Sequence, residues 1–158
     1  DLVRSRGLGD VYKRQGIGRE RLLRAVALAD LVTVHQKAGI GCLSAFCGAT
    51  CAGCGAGAGI AYLLGGDYKA VAHTIVNALA VVSGMVCDGA KPSCAAKISS
   101  AIDAGILGYE LYCRGQEFLD GDGIIRKGVD NTIGNVGRMA RSGMRETDRV
   151  ILDIMCGC

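Results

Sequence analysis

The sequence is poor in aromatic residues: of its 158 residues, two are Phe, five are Tyr and none is Trp. Gly and Ala supply much of the mass instead, so helices can pack closely with only small side chains between them. The alternation of apolar and polar residues that indicates half-buried strands is also lacking. The sequence therefore predicts an all-α fold, a compact bundle of about six helices around a buried Gly/Ala-rich central helix, with few strands or none.

An excess of charge of one sign is lacking as well. Lys and Arg number 18 against 15 Asp and Glu, which gives a net charge of +3. Basic residues concentrate at the N-terminus and near residues 138–149, where a solvated face is the simpler interpretation. We therefore expect no nucleic-acid partner.

A signal peptide is not visible at the start of the chain. Nine cysteines are many for this length, but the count is odd and several lie in apolar helical stretches. Secreted proteins held together by disulfides usually begin with a signal peptide and carry their cysteines on loops. We therefore expect a reducing, cytoplasmic environment, in which some cysteines bind metal and the others are small buried residues.

Two long stretches, residues 38–66 and 70–87, carry no charge, and length alone would allow each to span a membrane. The first is mostly Gly, Ala, Cys and Ser, which are only weakly apolar. The second contains polar residues, among them His73 and Asn77. We expect a fully buried helical hairpin in a soluble protein, with no membrane partner.

Helical periodicity of apolar residues predicts six helices. They cover residues 18–37, 43 or 44 to 64, 68–86, 92–113, 129–141 and 146–155. Asp67 is a good N-cap for the third helix. The second helix contains glycines that cost about 1 kcal/mol each relative to alanine, so it must be buried against other backbones.

Residues 1–15 fit none of this periodicity. They look like translated sequencing-adaptor read-through, and we expect them to be non-native and disordered. The predicted helical domain is then residues 16–158, and we expect the gene to be truncated, with its true N-terminal part missing.

The turn from Cys87 to Cys94 holds two thiols seven positions apart. Pro92 suits the first position of a helix, so Cys94 would lie in the first helical turn, where the helix dipole favours a thiolate. Cys87 would close the preceding helix. Two thiolates at a helix junction outline a metal site, and the best candidate for a third ligand is Cys47.

Three thiolates with one open position suit a [4Fe–4S] cluster in which one iron is free to bind substrate. A zinc site is the main competing interpretation, but structural zinc usually takes a fourth Cys or His at short spacing. An interpretation of Cys47, Cys87 and Cys94 as packed thiols without metal remains open on spacing alone.

Cys47, Cys51 and Cys54 have the Cys-x3-Cys-x2-Cys spacing of radical S-adenosylmethionine enzymes. Those enzymes carry it on a loop after the first strand of a partial barrel. Here it falls in a helical Gly/Ala run, where positions i, i+4 and i+7 share one face. The spacing therefore indicates a packing seam.

Four polar residues are candidates for substrate binding. Lys91 and Ser93 lie between two predicted ligands and could contact a substrate carboxylate, although helix-start or solvent-facing roles fit them equally well. His73 and Asn77 share a helix face and could line the substrate pocket. The alternative for these two is that they are buried polar groups with internal hydrogen bonds.

Several motifs resemble the L-cysteine desulfidase family, which is related to the α chain of iron–sulfur L-serine dehydratase. They lie at residues 43–50, 55–66, 83–97, 131–138 and 143–148. The resemblance covers about Gly39 to the end of the chain. It implies an all-helical, oxygen-sensitive cytoplasmic lyase whose cluster ligands are Cys47, Cys87 and Cys94.

The implied reaction converts the small amino acid L-cysteine to pyruvate, ammonia and sulfide. The resemblance places the catalytic base, a cysteine, in an N-terminal part that this chain does not contain, so the chain alone is expected to be inactive. In serine dehydratases a C-terminal cysteine can occupy the open iron, and Cys158 could imitate it, although a frayed tail is the simpler interpretation.

Two alternatives stay open. One is an L-serine dehydratase, from which hydroxide rather than sulfide leaves. The other, from a different class, is a small membrane or scaffold protein whose cysteines only pack. Homo-oligomer formation is not decided by the sequence.

Overall fold

The computed structural model describes residues 16–41 and 44–157. Six α-helices follow one another in these ranges: α1 Arg19–Ile40, α2 Gly48–Leu63, α3 Tyr68–Val82, α4 Ser93–Cys113, α5 Val129–Arg138 and α6 Arg145–Cys156. A π-helical segment, Met139–Gly143, joins α5 to α6. The described ranges contain no strand, so the all-α prediction is confirmed. The predicted read-through segment 1–15 and Cys158 lie outside the described residues.

Helix α2 is the centre of the bundle, as predicted. It packs against α1, α3 and α4, and 12 of its 16 residues are buried. A Cβ atom on Gly53 would lie 2.3 Å from the carbonyl oxygen of Ala101, and one on Gly57 would lie 2.7 Å from the Cα of Gly105. Any side chain at these positions would force α2 and α4 apart, so close backbone packing offsets the low helix propensity of glycine.

The segment between α3 and α4 differs from the prediction. Helix α3 ends at Val82, and α2 begins at Gly48, because residues 45–47 and 85–87 pair with each other through an antiparallel bridge between Phe46 and Val86. Their backbone groups are used in this pairing and cannot continue either helix. The prediction that Cys87 closes the preceding helix is therefore wrong.

Other boundaries follow the sequence closely. The side chain of Asp67 accepts a hydrogen bond of 2.9 Å from the backbone N–H of Ala70, which confirms it as the N-cap of α3. Pro92 immediately precedes α4, and Cys94 lies in the first turn of that helix, as predicted. Among the described helices, none combines the length and apolar character needed to cross a membrane.

Candidate active site

A short antiparallel pairing brings Cys47 and Cys87 to the same place. The backbone N–H of Cys47 donates to the carbonyl of Met85 at 3.0 Å, and that of Cys87 donates to the carbonyl of Ala45 at 2.6 Å. Phe46, only 1% exposed, anchors the pairing in the core. The two predicted ligands, 40 positions apart in sequence, therefore lie on neighbouring backbone segments at the start of α2.

A cavity of about 300 Å³ opens between the first turns of α2 and α4. Cys47, Cys94 and Lys97 supply its sulfur and charged groups. The remaining lining residues are small or apolar: Gly48, Ala49, Ala52, Gly53, Ala56, Ile98 and Ile102. Two of the three predicted ligands thus share one cavity, and both lie at the start of a helix.

The three thiols differ in exposure. Cys47 is buried, Cys94 is half-buried and Cys87 is exposed, and none of them is in a disulfide. The thiol of Cys94 donates to the carbonyl of Gly89 at 3.6 Å. Within the described ranges, no three His, Cys, Asp or Glu side chains converge closely enough to hold a metal ion. Cys47, Cys87 and Cys94 therefore lie on adjoining segments, but their three thiols do not converge on one point.

An ion-pair cluster holds the turn beside this cavity. Asp88 accepts hydrogen bonds from the ammonium groups of both Lys91 and Lys97. These two bonds lower the pKa of Asp88 to about 2, so its carboxylate is ionised at neutral pH. These ion pairs link the turn between Cys87 and Cys94 to the first turns of α4.

Lys97 is the residue that the sequence analysis missed. Its Nζ also donates to the carbonyl of Val86 at 2.9 Å, and its side chain is only 20% exposed. The hydrogen bond to Asp88, together with the negative charge of Asp88, raises the pKa of Lys97 above its ordinary value, so it carries a positive charge in the cavity. Its position three residues after Cys94, on the same helix face, was the available signal.

The four residues predicted to bind substrate lie in different parts of the structure. Lys91 and Ser93 are exposed at the edge of the turn and do not line the cavity. Asn77 is completely buried, donates to the carbonyl of Gly108 at 3.0 Å and accepts from the N–H of Phe118 at 3.2 Å. Asn77 therefore bonds to backbone groups that connect α3, α4 and the segment after α4.

His73 lies near the opposite end of α4. Its ring stacks on Tyr112 with 5.6 Å between centroids, and its Nδ1 lies 3.3 Å from a carboxylate oxygen of Glu117 without forming a hydrogen bond. It lines a second cavity of about 380 Å³ between the start of α3 and residues 118–129. About 27 Å of helix separates Cys94 from Tyr112, at 1.5 Å per residue. The structure thus does not bring His73 close to the three predicted cluster ligands.

Cys51 and Cys54 are core residues of α2, at 1% and 0% exposure. Burial raises the pKa of Cys54 far above its ordinary value, so its thiol stays protonated. Both placements fit the packing seam expected from the sequence.

The end of α6 lies beside the cysteine turn. A Cβ atom on Gly89 would be 3.1 Å from the methyl carbon of Met155, and Gly89 itself has a φ of +86°. Cys156 is exposed next to Met155. The C-terminal end of the described chain is therefore close to the predicted ligands.

Comparison with known proteins decides the family. Residues 8–153 match the family model described as serine dehydratase alpha chain. The chain belongs to this family. The resemblance identified from the motifs is confirmed at this level, and with it an all-α domain related to a lyase.

Proteins similar to this chain include UPF0597 proteins from several bacteria. That of Desulfitobacterium hafniense is 63% identical over 138 residues, which cover 87% of this chain and 32% of the relative. That of Lachnoclostridium phytofermentans is 52% identical over 136 residues, 86% of this chain and 33% of the relative. The chain spans about a third of the length of these curated relatives. No solved structure matches the chain.

Proposed function

We propose that this chain is the cluster-bearing part of a [4Fe–4S]-dependent lyase that converts L-cysteine and water to pyruvate, ammonia and sulfide. The observation that carries the proposal is the cavity shared by Cys47, Cys94 and Lys97. Membership of the serine dehydratase alpha-chain family supports the lyase class. An iron–sulfur enzyme of this kind would work in the reducing cytoplasm.

The residues present fit such a cluster. Thiolates are the ligands that iron–sulfur clusters take, and Cys47, Cys87 and Cys94 would provide three. Two of them lie at helix starts, where the helix dipole favours negative charge, and Lys97 adds a positive charge beside them. When bound, the cluster supplies a Lewis-acidic iron that no protein ligand occupies.

Lys97 would bind the substrate carboxylate. Two of its three N–H groups are used by the carbonyl of Val86 and by Asp88, and the third finds no acceptor among the described residues. A charge-assisted hydrogen bond from this ammonium would orient a small amino acid in the cavity. Asp88 would hold the ammonium in place and is itself held by Lys91.

The rest of the cavity would select the substrate and exclude water. Ile98 and Ile102 form an apolar wall opposite the small residues of α2. Lys91 and Ser93, at the edge of the turn, would contact substrate only at the entrance. The geometry gives no support to His73 and Asn77 as substrate ligands. The base that removes the α proton would come from the part of the longer relatives that this chain does not span.

A second candidate is L-serine dehydration, because the family model that matches is named for a serine dehydratase. In that reaction hydroxide leaves the β carbon instead of sulfide. Lys97 is the one charged side chain among the described residues that line the cavity, and the apolar wall suits a thiol better than a hydroxyl. We therefore rank L-cysteine first.

A hybrid enzyme tests the proposal. The matched third of the D. hafniense relative is replaced by the corresponding residues of this chain, and the protein is reconstituted with iron and sulfide without oxygen. We expect equal amounts of pyruvate and sulfide from L-cysteine. Faster pyruvate release from L-serine would favour the second candidate. Turnover of neither amino acid by the iron-loaded hybrid would refute the lyase proposal.

A further inference from the structure

Helix α1 is apolar on two opposite sides. Its inward side, which includes Ala25, Ala29 and Ile40, is buried in the bundle. Its outward side carries Leu23, Leu31 and Val34, which are 57%, 67% and 64% exposed. A surface helix normally gathers its large apolar side chains on the side that packs against the rest of the protein, so the outward side of α1 lacks a neighbour in the part of the chain described.

The exposed apolar residues form one narrow stripe. Leu23, Ala27, Leu31, Val34 and Ala38 follow one another at spacings of four, four, three and four residues, and all are exposed. At 3.6 residues per turn they lie within an arc of about 80° and along about 22 Å of helix. This spacing is that of a seam in which a second helix packs its side chains between them.

We infer that this stripe on α1 docks an amphipathic helix from the part of the longer family polypeptide that this chain does not span. The relatives are about three times as long as the matched segment, so two thirds of their sequence is available to cover it. A segment of the same polypeptide has a high effective concentration at this surface, which favours it over a second copy of the molecule. The inference does not depend on the proposed chemistry, because α1 supplies none of the described residues that line the cavity with Cys47, Cys94 and Lys97.

Side-chain footprinting with hydroxyl radicals, read by mass spectrometry, tests the inference. The modification rates of Leu23, Leu31 and Val34 are compared between the isolated chain and the hybrid enzyme described above, each at several protein concentrations. Leu79, at 1% exposure, is the buried reference in both proteins. We expect the three rates to fall at least fivefold in the hybrid, independently of concentration. If the hybrid does not fold, the same rates are measured at the aligned positions of the unaltered relative.

Two results would overturn the inference. One is unchanged rates in the longer protein, which would mean that the stripe stays in solvent. The other is protection that already develops in the isolated chain as its concentration rises, which would mean that a second copy covers α1.

A double variant of the stripe, compared in the isolated chain and in the longer protein, provides a second measurement. Leu31→Glu and Val34→Glu together should leave the melting temperature of the isolated chain within about 2 °C, because both side chains are exposed there. The same pair should lower the melting temperature of the longer protein by 5 °C or more. Equal effects in the two proteins would contradict docking at this face.

Discussion

The two ends of the bundle both carry a cavity and polar side chains, but they use their polar groups differently. At the end near His73, Asp67 caps α3, and Asn77 is satisfied by two backbone groups. At the cysteine end, no side chain in the described ranges caps α2 or α4, and one N–H of Lys97 finds no acceptor there. Polar residues that are buried for stability and polar residues that are available to a ligand therefore look alike in sequence and differ only in their hydrogen-bond partners.

Asn77→Ala should produce the largest effect on stability. It leaves the Phe118 N–H without its acceptor and removes the side-chain donor to the Gly108 carbonyl, which keeps only its bond within α4. One unsatisfied N–H and one lost hydrogen bond cost about 3 kcal/mol together. Urea unfolding of the metal-free chain measures the change. Iron bound per folded molecule should stay the same, and a parallel loss of iron would place Asn77 in the site after all.

Lys97→Met should have the next largest effect, at the other end. Loss of one charge-assisted hydrogen bond to the substrate carboxylate is worth about 2 kcal/mol, or roughly thirtyfold in kcat/KM of the hybrid enzyme. The loss should appear mainly as a higher KM, with iron content unchanged. Lys91→Met is the matched control, since Lys91 also binds Asp88 but lies outside the cavity. Equal losses in the two variants would indicate that Lys97 only holds the turn.

Asp67→Ala should have the smallest effect of the three. Removing an N-cap acceptor costs about 1 kcal/mol. The change is measured by thermal unfolding of the metal-free chain, with Ser93→Ala as control because Ser93 is exposed at the start of α4 and caps nothing. If Ser93→Ala lowered the stability as much as Asp67→Ala, the two ends would not differ in how their side chains cap helices.

Much of the fold could be predicted from the sequence because its signals are local. Apolar periodicity located all six helices, Asp67 matched a known capping pattern, and the glycines of α2 required burial against another backbone. The position of Cys94 in the first turn of α4 followed from Pro92. Each of these depends on residues within a few positions of one another.

The pairing of residues 45–47 with 85–87 could not be predicted in the same way. It joins segments 40 positions apart, and each segment continues an apolar helical pattern, so nothing local indicates that both leave their helices. Lys97 was not predicted because it lies outside the segment between Cys87 and Cys94, on the face of α4 that carries Cys94. His73 and Asn77 share a helix face, as predicted, but that face packs against the C-terminal end of α4, far from Cys94.

The central claim is that Cys47, Cys87 and Cys94 together hold a cluster. The most direct test is the iron and acid-labile sulfide content of the chain after anaerobic reconstitution, with Cys→Ala variants at each position. Cys113→Ala is the matched control, because Cys113 is an exposed cysteine at the far end of α4. We expect about four irons per chain, lost in all three variants and retained in the control. Absence of iron from the unaltered chain, or iron that depends instead on Cys51 and Cys54, would contradict it.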